Sequence, residues 1–291
     1  MKYKEGVGEV IPFIHLYEDP SAKTLNLSEI ARYLKEKFGE IDIDERKALI
    51  GPERSVDQLA TKLAKTRIRN FTDPNFVFDP LLGEIEYEKR LILSPEKSPA
   101  GILYDGFKLQ EILHELLPAE ELSTEHIHIV FTNRLIATWD ENDRRYHARV
   151  SVYGFPSIIS TTGIVEAPAK PKEYYMLKRH YAAIGFPNVP LEILKEKFRG
   201  RFIDYDDERL TEVMKGYVMQ AIFYHVFGDP FCDKPICRLY NSHWQEEVLR
   251  AQLEQPEFCE RHEEAIEFMR TSFRRERGGN PQNPPQKFLL P

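Results

Sequence analysis

Three cysteines and a histidine near the carboxyl end have the residue types and the spacing of a metal site: Cys232, Cys237, Cys259 and His262. Cys232-Asp-Lys-Pro-Ile-Cys237 is a short loop whose proline favours a tight turn, so two thiolates can converge on one point. Pro256-Glu-Phe-Cys259-Glu-Arg-His262 opens a helix, where positions i and i+3 share a face and deliver a sulfur and an imidazole nitrogen together. Zinc takes four tetrahedral soft or borderline ligands, and its structural sites are closed against water. The expectation is one structural zinc per chain, held by Cys3His. Three unlinked reduced thiols, packed as small hydrophobes, are the alternative. A disulfide framework is disfavoured, because three cysteines cannot pair off and a core of this size needs no covalent staple.

The element that must carry this centre precedes it. From Asp206, apolar residues fall at Leu210, Val213, Met214, Tyr217, Val218, Ala221, Ile222 and His225, the repeat of one buried helical face. Asp206, Asp207 and Glu208 suit its start and Gly228 followed by Pro230 its stop.

In order and spacing these residues resemble the zinc-binding end of the archaemetzincins, a branch of the metzincin metallopeptidases with archaeal members. That family's motif is His-Glu-x-x-His-x-x-Gly-x-x-His-Cys, a four-residue gap, Cys-x-Met, and later Cys-x-x-Cys. Laid on this chain it matches His225, Gly228, Cys232, Cys237 and Cys259, with His262 where the last cysteine would stand. The resemblance runs from about His126 to the cysteine pair and is specific around Gly228 to His262. It implies a metzincin-like fold and a structural zinc. The departures fall on the chemistry: Ala221 and Ile222 replace the first His and the Glu, Phe231 replaces the third His, and Leu239 replaces the Met. A catalytic zinc needs three ligands to polarise a water and a carboxylate to take its proton. His225 is the one retained catalytic position, so no catalytic residue is assigned. The other His-Glu dipeptides, His114-Glu115 and His262-Glu263, lack a histidine at the fourth following position.

Elsewhere the chain reads as α/β. Val10 to Tyr17 is a buried strand, Asn26 with Glu29 caps a helix ending at Gly39, and Ile41 to Ile43 returns as a strand. A helix follows at Ser55 to Arg67, then loops around a strand at Arg90 to Leu93, a helix at Leu109 to Leu117, a strand at His126 to Thr132, a hairpin around Asp140 to Asp143 and a strand at Arg149 to Tyr153. Helices are expected at Glu173 to Ile184 and Leu191 to Arg199. The fold class is therefore a mixed β-sheet with flanking helices and a helical C-terminal part pinned by zinc. An N-terminal portion over 1–120, a second over 121–275 and a disordered tail over 276–291 describe the organisation, unless the first two form one continuous domain.

The remaining histidines carry weaker signals. His126 and His128 point the same way on a strand, a spacing that metal ligands sometimes use, but alternate polar residues on the solvent face of a sheet need no ligand, and that is the stronger reading. His147 beside Asp140 and Asp143 reads as surface. The basic stretch from Lys170 to Arg201, with Tyr174, Tyr175 and Tyr181 interleaved, reads as a solvated helical face. A net charge of −7 disfavours nucleic acid as a partner. Gln220 interrupts the longest apolar run, so no membrane span is expected, and Met1 to Gly8 is too charged and short for a signal peptide. A cytoplasmic location follows as the expectation; the oligomeric state is left open.

Two functions are consistent with this pattern. One is a non-catalytic protein of the metallopeptidase fold, with structural zinc, that binds a peptide or protein ligand. The other is a zinc metallopeptidase whose metal site is rebuilt around His225 with His128, His147, His180 or Asp229.

Overall fold

In the computed structural model, described over residues 13–277 apart from 40, 53–54, 98, 100 and 186–190, strands alternate with helices as the sequence leads one to expect. Strand β1 (Phe13–Tyr17) is followed by α1 (Leu27–Phe38), β2 (Ile43–Arg46), α2 (Val56–Lys65) and α3 (Leu82–Leu93). Then come β3 (Leu103–Asp105), α4 (Gly106–Glu115), a 3-10 turn at Ala119–Glu121, β4 (His126–Thr132), β5 (Leu135–Asp140), β6 (Arg145–Arg149), β7 (Ser151–Val152) and β8 (Ser157–Ser160). Helices α5 (Gly163–Glu166), α6 (Lys172–Ala183), α7 (Leu191–Lys197), α8 (Leu210–Phe227), α9 (Gln245–Leu253) and α10 (Glu260–Arg277) complete the chain.

The main sheet has the order β2-β1-β4-β8-β7, parallel except for the antiparallel edge strand β7. It takes strands from both sides of residue 120. Helices cover both faces, as parallel strands require. On one face Ile14, Leu16, Ile127 and Ile129 meet α1, α8 and α10; on the other Tyr17, Val130 and Ile158 meet α2 and α4. A second sheet, β3-β5-β6, stands beside it. The Asp140 carboxylate accepts from the backbone of Asn142 and Asp143 and closes the expected hairpin turn between β5 and β6.

Local chemistry explains most boundaries. Asn26 accepts from the Glu29 backbone N–H at 3.0 Å to start α1, and Gly39, at φ +83°, closes it. The strand expected at Arg90 to Leu93 is instead the last turn of α3, because the three-residue apolar run Leu91 to Leu93 fits either period and the Glu88 carboxylate, on the same face, is held by Arg67 and Arg134. Strand β2 lies at Ile43–Arg46, just beyond the expected Ile41 to Ile43. The tail expected over 276–291 lies outside the described residues from 278 onward. Among the described residues no helix is long and apolar enough to cross a membrane.

Helix α8 differs most from expectation. It begins at Leu210, after a turn in which Asp207 accepts from Arg209, and its buried surface is no single stripe: every residue from Leu210 to Phe223 except Glu212 is buried. The sheet, α1 and α9 surround it. Lys215 is tolerated there because Glu29 and Glu212 bind its ammonium at 2.7 and 2.5 Å. At Gly216 a Cβ would lie 1.7 Å from the Oε1 of Gln252, whose Nε2 donates to the Arg238 carbonyl at 2.9 Å. Gly216→Ala is therefore expected to lower stability by about 1–3 kcal/mol despite alanine's better helix propensity. Urea unfolding checks it, and an unchanged or raised midpoint would show that α9 yields without cost.

Candidate metal centres

The Cys3His group assembles as its spacing suggested. Gly228, in the left-handed conformation at φ +74°, ends α8 with its N–H on the Tyr224 carbonyl, and turns the chain toward Cys232. The loop is then closed by its own backbone: Cys232 N–H donates to the Leu239 carbonyl and Cys237 N–H to Lys234. Gln220 of α8 and Gln252 of α9 both donate to the Arg238 carbonyl, and the Arg238 guanidinium, almost wholly buried, binds Glu212 and Glu257. From α10, His262 packs edge-on against Phe223 with ring centroids 5.4 Å apart.

All four ligand atoms are buried within 4.8 Å of one another. Cys232 Sγ and Cys259 Sγ are 3.8 Å apart, and His262 Nδ1 lies 3.5 Å from Cys237 Sγ and 3.2 Å from Cys259 Sγ. A tetrahedral zinc with ordinary bond lengths has edges of about 3.8 Å between sulfurs and about 3.5 Å from sulfur to nitrogen. The four donors thus already stand close to the corners that zinc needs. The hydrogen bond from Cys237, and next that from His262, draws the Cys232 thiol well below its ordinary range; the same contact and burial push Cys237 up. The shift at Cys232 favours the thiolate, the form that binds metal.

Helix α8 offers no comparable set. Ala221 and Ile222 are buried in the core, and the His225 ring donates from Nε2 to the Thr124 carbonyl at 2.8 Å. Burial holds the His225 pKa below its ordinary value. His147 binds Asp143 at 2.8 Å and exposed His180 lies against the Tyr181 ring, so neither comes to His225. Among the described residues, His225 belongs to no group of converging metal-ligating side chains.

Beside α8 lies a cleft of about 500 Å³. Its floor is Tyr217, Gln220 and Tyr224 of α8; one wall is the edge strand β7 with Arg149, Val150 and Tyr153, and the other is Pro230, Phe231 and Tyr240 to His243. The second wall is the chain on either side of the cysteine loop.

The expectation for His126 and His128 requires correction. His128 is 1% exposed, and it faces His15 in register across β1 and β4 on a covered surface of the sheet. Sequence reasoning took the alternation for a solvent face, but a parallel sheet has none. It passed over His15 and Glu121 altogether; the signal available was a histidine at an alternate position of an otherwise apolar strand.

A model of the probable metallopeptidase family (DUF6775) matches residues 11–269. The chain belongs to that family. A crystal structure of archaemetzincin from Methanopyrus kandleri is similar at 13% identity and a TM-score of 0.41, covering 92% of this chain and 98% of that one. No curated protein matches. Membership implies a metal, and the Cys3His group is chemically suited to zinc.

Proposed function

We propose that this member of the family is non-catalytic: zinc in the Cys232, Cys237, Cys259 and His262 centre braces one wall of the cleft beside β7, and the cleft holds an extended peptide segment of a partner. The observation that carries the reading is the state of α8. Its single family histidine is spent on the Thr124 carbonyl, and Ala221 and Ile222 supply neither ligand nor base. The cleft nevertheless keeps what peptide recognition uses. An edge strand presents backbone donors and acceptors, and Tyr153, Tyr224, Phe231 and Tyr240 offer aromatic surface for side chains. Zinc, when bound, supplies a crosslink between the loop after α8 and α10.

The test is a library of fluorescein-labelled random decapeptides, assayed for both binding and cleavage by the zinc-loaded protein. A subset should bind and stay intact, and Phe231→Ala should weaken binding about tenfold, the usual effect of removing an aromatic anchor. Cleavage by the parent that disappears in His225→Ala would overturn the reading in favour of a rebuilt metallopeptidase site. Binding indifferent to Phe231→Ala would remove the cleft from it.

A further inference from the structure

On the face of the sheet opposite α8, three imidazoles and a carboxylate converge. His15 from β1 and His126 and His128 from β4 alternate with Ile14, Leu16, Ile127 and Ile129, which face α8, so all three rings project the other way. The rings of His15 and His126 stack at 5.1 Å and those of His15 and His128 at 4.6 Å. Glu121 enters from the 3-10 turn before β4. One ring nitrogen of each histidine and one oxygen of Glu121 lie within 4.8 Å of one another, with His15 and His128 almost wholly buried.

We propose that His15, His126 and His128, with Glu121 as fourth ligand, form a second metal centre that takes a late first-row divalent ion such as zinc. It lies apart from the cysteine centre and the cleft, and does not depend on the function proposed for them.

Two observations carry it. The nitrogens that would not bind metal are already engaged: His15 Nδ1 donates to Asp44 at 2.6 Å, and the Tyr17 oxygen, which accepts from Arg46, is 3.1 Å from His128 Nδ1. Carboxylate and hydroxyl partners of this kind fix the ring and tautomer of metal-binding histidines, leaving Nε2 with its lone pair inward. Second, Nε2 of His128 makes a long hydrogen bond, 3.4 Å to the Glu121 carbonyl, which a bond to metal would replace once the ring proton sits on Nδ1. The Glu121 Oε2 atom is 3.9 Å from Nε2 of both His15 and His128. Arg46 grips both Glu121 oxygens at 2.6 and 2.7 Å, which orients the carboxylate and offsets its charge. The His15 Nε2 to His126 Nδ1 contact of 2.8 Å must open to the roughly 3.3 Å edge of a tetrahedral site, a shift of about half an ångström at His126, half-buried at the first position of β4. Imidazole-rich sets of this composition suit zinc, nickel and copper rather than magnesium or calcium.

Cobalt(II) is the probe, because cobalt on cysteine sulfur shows an intense thiolate charge-transfer band and cobalt on imidazole does not. Titrated into metal-free full-length protein, it should saturate at two equivalents, only one of which raises that band. Saturation at one equivalent, with the thiolate band fully developed by it, would overturn the proposal. His126→Ala, at a partly exposed position, should bind one equivalent with the thiolate band intact; a second equivalent still bound in both His126→Ala and Glu121→Gln would equally overturn it. The thiolate band reports the cysteine centre separately, so failure of either site is read independently of the other.

Discussion

Cys237→Ser is expected to abolish zinc binding at the cysteine centre and to lower the melting temperature by roughly 10 °C or more. The thiol sits at the junction of three elements. Its loop is pinned to α8 and α9 through the Arg238 carbonyl, and α10 reaches the same point through Cys259 and His262. Structural zinc contributes about 10–16 kcal/mol in peptides that have no other core. Here Phe258, Ala265, Ile266 and Met269 still anchor α10 in the main core, so the loss should be a fraction of that. A loss of about 4 kcal/mol moves the melting point of a domain of this size by roughly 8–16 °C. Melting followed by circular dichroism, with metal content measured on the same sample, decides it. Chelation should lower the melting point of the parent by at least that much, and by more than it lowers that of the variant. Equal melting points and equal zinc in parent and variant would show that the four side chains are only packed together.

Glu88→Ala should cost about 3–5 kcal/mol. Glu88 lies on α3 with no exposed surface, and its carboxylate accepts from Arg67 at 2.6 Å, Arg134 at 3.0 Å and the Tyr104 hydroxyl at 2.8 Å. Alanine would leave two guanidinium groups in the interior, and for Arg67 the next carboxylate, Glu84, is 3.7 Å away. Removing one member of a buried ionic cluster is costly because the remaining charges keep their desolvation penalty without the attraction that offset it. Glu88→Gln, which retains the shape and an acceptor, should lose less. Urea denaturation separates these cases, and a loss under about 1 kcal/mol for Glu88→Ala would mean that water or a rearranged side chain replaces the carboxylate.

How much of this was legible beforehand follows from the range of the interactions. The α1 cap at Asn26, the stop at Gly228 and the i, i+3 pair at Cys259 and His262 are settled within a turn or two of chain, and a sequence displays them directly. The cysteine centre was readable because each half of it is local: a tight loop and a helical turn, both made of residues with few other uses when grouped. Even so, only the fold brings the two halves together, with Sγ to Sγ at 3.8 Å between Cys232 and Cys259.

The histidine cluster was not readable. Its members come from β1, the turn before β4 and β4 itself; Glu121 carries no local mark, and His15 only that of a histidine in an apolar strand. Their meeting depends on β1 and β4 pairing in parallel with His15 opposite His128, a choice made by the burial of Ile14, Leu16, Ile127 and Ile129 on the other face. The same holds for Glu88, whose partners Arg67 and Arg134 lie 21 and 46 residues away.

The sequence by itself determined that this is an α/β chain, that neither Ala221 nor Ile222 of α8 can serve as metal ligand or base, and that Cys232, Cys237, Cys259 and His262 have the types and local spacing that zinc takes. Tertiary structure alone decided that His225 is turned to the Thr124 carbonyl, that the cysteine loop walls a cleft beside β7, and that His15, Glu121, His126 and His128 share one buried point. The physical reason is separation along the chain: capping, turns and helical spacing act over a few residues, whereas strand register and the face a sheet buries are set by cooperative packing of the whole core.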